Sequence, residues 1–246
     1  MTISDESHLT EYAVIEFTTA EIQSLPEIEQ AFLLSASLIL NDIRFHWAIL
    51  GRSKEDATED TLKTMQMVRA LWGLRKLASV IVESEKILGM YVGKISYLKL
   101  LVDGGQRVLT HNGNASNYLK VARLLRDRTS SHYGAEELVE HINNFAPTVS
   151  HKIFPHKQQG NSISALCEQI LTIPTILSSF EGATFNGFQD WCLKNSNSVA
   201  SFCNKALGKL ISVRFPEKRY NKVDIEMGQE ASSLEKRWPI FTIVTP

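Results

Sequence analysis

The sequence predicts an all-α protein: an antiparallel bundle of long helices, then further helices and an irregular tail. Three features lead to that class. Apolar residues keep a helical period over two long stretches, 28–50 and 61–102, with no proline inside either. The polar connector GRSKEDATED lies between them, and short polar connections join antiparallel helices. Helical period then returns twice in the C-terminal half, over 162–179 and 188–211.

At the N-terminus, MTISDESHLTEY is acidic and polar, with no basic region leading into an apolar run. No secretory signal or mitochondrial presequence is expected from it. The run YAVIEF, 12–17, alternates as one strand or an extended arm does. Pro26 suits a first helical turn, and Glu27 and Glu29 follow at the positive end of the helix dipole. Ile28, Phe32, Ala36, Leu40, Ile43, Trp47 and Leu50 then mark an amphipathic helix ending at Gly51. Its most apolar part, AFLLSASLIL, is soon followed by Asn41, Asp42 and Arg44, short of the ~20 apolar residues that span a bilayer. No membrane segment is expected.

The second long stripe includes Leu62, Val68, Trp72, Leu77, Ile81, Leu88, Tyr91, Ile95 and Leu98, with Gly89 and Gly93 as points of bending or splitting. Asp103, Gly104 and Gly105 interrupt it, and HNGNASN reads as a loop. Ser116 is placed to cap a helix over 117–133, with Gly134 as its stop. A helix over 135–145 ends before Pro147, and HKIFPHKQQGN forms a second connector. Pro174 bends the 162–179 helix. Beyond Phe215 the chain turns charged and irregular, and its apolar end PIFTIVTP is read as packed on the core, a strand, or loose.

With 246 residues, 43% hydrophobic and 22% charged, the chain suffices for one large core with an appended part. The expected division is a helical bundle with an N-terminal arm over 1–145, and a C-terminal extension over 146–246 packed on the same core. A net charge of −1 gives no global pull toward nucleic acid or anionic lipid, so any RNA site must be a local basic patch. The three cysteines, Cys167, Cys192 and Cys203, form no C-x-x-C pair. Reduced thiols in a cytoplasmic protein are expected, with no disulfide framework and no structural metal.

The chemistry-bearing segment is SNYLKVARLLRDRTSSHYG. Tyr118, Val121, Leu124 and Leu125 define an apolar side, opposite Lys120, Arg123 and Arg126. Lys120, Arg123, Arg126 and Arg128 make this the densest basic stretch on any predicted helix. Asp127 follows Arg126, and five residues separate Arg126 from His132.

This pattern resembles the HEPN superfamily of helical proteins found in prokaryotic toxins and abortive-infection systems. Its signature is an Arg followed by a polar residue, then a His after four to six intervening residues, near a helix end. The layout is also similar: two long helices, a loop, then the motif helix, over residues 26–145. The resemblance implies a metal-independent, cofactor-free endoribonuclease working as a homodimer in stress or phage defence, with RNA as substrate and an antitoxin or defence-complex partner. In that reading Arg126 clamps a phosphate, His132 is the general acid or base, and Asp127 orients one of them. Lys120, Arg123 and Arg128 hold neighbouring phosphates, and Tyr133 is a supporting donor. In the toxin–antitoxin branch a tyrosine often stands two places after the histidine, whereas Tyr133 follows His132 directly.

The chemistry is sound. A 2′-hydroxyl can attack its adjacent phosphorus without a metal if a histidine with pKa near ~6.5 moves the proton. That help is worth roughly 10²–10⁴ in rate, and a guanidinium stabilises the charge that builds on phosphate. Geometry sets a condition. Six helical positions rotate by about 600°, leaving Arg126 and His132 about 120° apart on a straight helix. Either the helix loosens around 129–131 or two copies of the motif face each other.

The competing expectation is a non-catalytic scaffold or partner-binding subunit. His132 is then a helix-end histidine on the apolar side it shares with Arg128, and Arg126 belongs to a solvated face. Glu83 and Glu85 read either as a solvated edge or as partners for Arg126 if their helix packs against the motif helix. His46, Trp47 and Trp72 read as core or rim, and His151 and His156 as connector residues split by Pro155. Arg214, Lys218, Arg219 and Lys222, interleaved with Glu217 and Asp224, read as a surface loop.

Overall fold

The computed structural model describes residues 9–52, 60–99, 101, 115–127, 153–154, 163–164, 168–218 and 221–226. The protein is all-α. Helix α1 spans Thr19–Gln23, α2 Glu27–Arg52, α3 Asp60–Lys94, α4 Ser96–Lys99 and α5 Ala115–Leu125. A π-helical segment, Glu168–Thr172, leads into α6, Ile173–Ser178, and the long α7 covers Phe185–Arg214. Two short antiparallel pairs accompany the helices: β1 (Leu9–Val14) with β4 (Asn221–Glu226), and β2 (Ile153–Phe154) with β3 (Ile163–Ser164).

Helices α2 and α3 form the expected hairpin. Its antiparallel sense is visible at both ends: Phe32 meets Tyr91 edge-on at 5.5 Å, and Gly73 sits against Ile49 and Leu50. A Cβ on Gly73 would lie 3.1 Å from Ile49 Cγ2, so this glycine sets how closely the two helices approach. Phe32, Ala36, Ile39 and Ile43 of α2 share one core with Leu74, Leu77, Ala78 and Ile81 of α3. Burying each large aliphatic side chain contributes about 1.5–3 kcal/mol, so the residues of this seam stabilise the fold together. By length and composition alone α2 could cross a membrane, with mean hydropathy 1.2 over Glu27–Leu50. Asp42 and Arg44 do not end the helix, so the apolar stretch is longer than AFLLSASLIL suggests. A core helix has the same signature, and one stripe of α2 lies in the core.

Helix α7 closes the bundle. Phe188, Trp191, Val199, Phe202 and Leu210 enter the same core. Trp47 Nε1 donates to Ser196 Oγ at 2.9 Å. At the other end of α2, Arg214 grips the buried Glu29 through two hydrogen bonds of 2.7 Å. Helices α2 and α7 therefore run antiparallel. A bidentate guanidinium–carboxylate pair fixes orientation as well as distance.

Several boundaries differ from the sequence reading. The second helix does not run to 102; it ends at Lys94, breaks at Ile95 and resumes as α4. Gly89 and Gly93 lie inside the continuous helix, facing open space. Helix α5 begins at Ala115, so Ser116 is inside its first turn rather than capping it. The helix expected from 162 is corrected, because Ile163–Ser164 is a strand paired with residues read as connector. The N-terminal strand is Leu9–Val14 rather than 12–17, and its partner β4 lies in the charged stretch read as irregular. Pairing across such separations leaves no local period to detect. Pro174 stands in the first turn of α6, directly after the π segment. A wider turn relieves the clash a proline ring makes with the carbonyl four residues earlier. The expected 135–145 helix and the PIFTIVTP end lie outside the described residues.

Candidate functional site

Helix α5 packs its apolar side on the bundle as expected: Leu119, Val121, Ala122 and Leu125 are buried, with Tyr118 and Leu124 half-buried. Tyr118 anchors the start of the helix, its ring 5.1 Å from Phe180 and 5.9 Å from Phe188. This seating turns the basic side of α5 along the flank of α3. Of the sequence-predicted residues, Lys120, Arg123, Arg126 and Asp127 are described, while Arg128, His132 and Tyr133 lie outside the described residues.

The basic face is not an open cationic surface. Arg123 Nη2 pairs with Glu85 at 3.3 Å, and Arg126 Nη1 donates to Glu83 at 2.8 Å. Arg126 Nε and Nη2 both reach Asp127 Oδ1 at 2.7 Å. Arg123 of α5 and Arg126 just beyond its end thus meet two glutamates two apart on α3, forming a short charge ladder where the helices touch. Glu83 is the partner for Arg126 that the sequence offered, while Glu85 takes Arg123 instead; neither is a simple solvated edge. The hydrogen bond to Asp127 raises the Arg126 pKa above its ordinary value. The charge of Asp127 and the contacts of Glu83 add to it, against a smaller desolvation penalty. Arg126 is a permanently charged, pre-oriented guanidinium. Lys120 is exposed, with no ion pair among the described residues.

Arg126 also lines a cleft of about 450 Å³ between α2 and α3. Leu38, Ile39, Val80 and Ile87 form its apolar walls, with Asp42, Glu83 and Arg126 as its charged groups. At Arg126–Asp127 the α-helix widens into π geometry. Such bulges are frequent at functional sites because they re-aim side chains. The widening lies ahead of 129–131, where a loosened helix was one of the two ways expected to bring Arg126 and His132 together, the other being two facing copies of the motif.

One further feature escaped the sequence reading. Arg75 Nη2 meets Glu168 at 2.7 Å with both side chains nearly sealed from solvent, and Thr172 Oγ1 donates to the other Glu168 oxygen at 2.6 Å. Arg75 looks like any helix-surface arginine in the sequence, so nothing local marks it. His46 is buried, and its ring meets Trp72 edge-on at 5.6 Å. Burial pulls its pKa below the ordinary imidazole value. Its Nδ1 has no hydrogen-bond partner among the described residues. This agrees with the core reading of His46.

Among the described residues no group of His, Cys, Asp and Glu side chains is arranged to hold a metal ion. Cys192 and Cys203 are free and buried. Comparison with family models, with curated proteins and with solved structures finds no match to this chain.

Proposed function

We propose that this chain is a metal-independent endoribonuclease of the HEPN type, a cytoplasmic homodimer acting in stress or phage defence alongside an antitoxin or defence-complex partner. Arg126 clamps the scissile phosphate, His132 moves the proton between the 2′-hydroxyl and the leaving oxygen, and Asp127 holds the guanidinium in register. Lys120, Arg123 and Arg128 bind flanking phosphates, with Tyr133 as a supporting donor. The observation that carries the reading is the setting of Arg126. It is half-buried at a cleft wall, held by two carboxylates, at the point where the motif helix departs from α geometry. The contact from the adjacent Asp127, which moves with Arg126, orients the guanidinium, and pre-orientation is how electrostatic catalysis limits reorganisation in the transition state.

One observation favours a second reading, a helical partner-binding subunit without catalysis. Arg123 and Arg126 already have carboxylate partners, and α2 leaves Leu34 and Leu38 exposed, Leu38 at the cleft itself. Ion pairs of this kind also serve simply to dock one helix on another.

Purified protein incubated with labelled single-stranded RNA in EDTA separates the two. The nuclease reading expects cleavage by the wild type and a loss of roughly a hundredfold or more in folded Arg126→Ala and His132→Ala, the scale on which such groups contribute. An inert wild type, or variants that cut equally well, leaves the partner-binding reading in its place.

A further inference from the structure

We infer that Glu83 is an electrostatic brake on Arg126, holding a donor on its Nη1 and offsetting its charge, so that an anionic ligand binds by exchanging with this carboxylate. The inference rests on the proposed role of Arg126 as a phosphate clamp. It adds a regulator on a different helix that no motif contains.

The donor count comes first. A guanidinium offers five N–H donors in a planar fork, and bidentate recognition of a phosphate uses two that lie along one edge. Here Nε and Nη2 are taken by Asp127 and Nη1 by Glu83. Asp127 thus engages the Nε side and Glu83 one N–H of Nη1, which leaves a phosphate fewer than the full set of donors. Asp127 is adjacent in sequence and moves with Arg126. Glu83 is fixed on α3, whose flanking residues Val82 and Ser84 are buried in the bundle. Of these two contacts, the one to Glu83 ties Arg126 to a separate rigid element.

Charge points the same way. The arginine brings one positive charge, while Glu83 and Asp127 bring two negative ones within 2.8 Å of it. An incoming phosphate meets a locally anionic triad rather than a cation. Glu83 is about half exposed, so water and a competing anion can reach the contact without the helices separating. A pair at this exposure is weak enough to exchange. Loss of a contact of this class shifts an anion affinity by about two- to fivefold.

The same geometry could mark a purely structural dock between α3 and α5, and the two cases predict opposite signs. A dock that is weakened loosens the motif helix and lowers anion affinity. A brake that is released raises it.

The test measures binding of a labelled single-stranded oligonucleotide whose 2′-hydroxyls are replaced by 2′-O-methyl groups, so that cleavage cannot interfere. Wild type, Glu83→Gln, Glu83→Asp, Arg126→Ala and the Glu83→Gln/Arg126→Ala double variant are compared across a salt series. The brake expects Glu83→Gln to bind about two- to fivefold tighter, Glu83→Asp to stay near wild type, and the gain to vanish when Arg126 is absent. Unchanged or weaker binding by Glu83→Gln overturns it. A gain that persists in the double variant also overturns it, since that is a general charge effect. Cleavage of unmodified RNA in the same set keeps the two ideas apart. Cleavage without a Glu83→Gln gain in binding sinks the brake and leaves the nuclease, while a gain in binding with no cleavage by any variant does the reverse.

Discussion

Glu168 and Arg75 meet at 2.7 Å in the interior, with side-chain exposures of 3% and 9%. The pair joins the middle of α3 to the π segment that precedes α6. Thr172 satisfies the second carboxylate oxygen. Such a pair does not make a protein more stable than apolar residues would, but it makes the loss of either partner costly.

Glu168→Ala removes the Glu168 carboxylate from the buried Arg75 guanidinium. A loss of about 3–5 kcal/mol is expected, read as a lower denaturation midpoint in urea. A change under about 1 kcal/mol would mean that Arg75 swings out to water, as an exposed arginine can.

The Arg123–Glu85 pair supplies the contrast. Arg123 is half exposed, so solvent can take over from a lost partner. Glu85→Gln should cost about 1 kcal/mol or less in the same urea assay. A loss as large as that of Glu168→Ala would show that the charge ladder, rather than the apolar side of α5, holds this helix in place.

Gly187 lies in the first turn of α7, where Thr184 Oγ1 caps its backbone N–H at 3.0 Å. A Cβ there would collide with the Tyr118 hydroxyl and come within 2.9 Å of Thr184 Oγ1. Gly187→Ala is therefore expected to destabilise by about 1–3 kcal/mol, although alanine is the better helix former. Adding Tyr118→Phe removes the obstructing oxygen and should recover part of the loss. Thermal melts of the single and double variants check this, and equal melting of Gly187→Ala and wild type would refute the close contact.

Glu21 carries the clearest acid-sensitive contact. Lys218 pairs with it at 2.8 Å, and with the Thr18 backbone this holds its carboxyl down at about 2. A depressed carboxylate contributes stability above its unfolded pKa, near the ordinary 4.5, and loses it as pH falls toward about 2. Glu21→Gln should flatten the stability–pH curve between those values and leave the region above about pH 6 nearly parallel to wild type. Urea midpoints measured from about pH 2.5 to about pH 7 test this, and an unchanged acid limb would remove Glu21 from the account.

The helical class, the α2–α3 hairpin and the apolar side of α5 were all legible in the residues alone. Each rests on a local period of about 3.6 residues, which a buried helix face imposes on the residues that form it. The chain also singled out Arg126 and Asp127, and offered Glu83 and Glu85 as conditional partners. Packing settled that condition, because an ion pair 43 positions apart depends on how α5 sits on α3. The Arg75–Glu168 pair, the β1–β4 ribbon and the cleft beside Arg126 emerged from the folded chain and from nothing shorter. One cause lies behind all of them. Periodicity records which face of an element is dry, but contacts between distant elements leave no repeating mark on the chain.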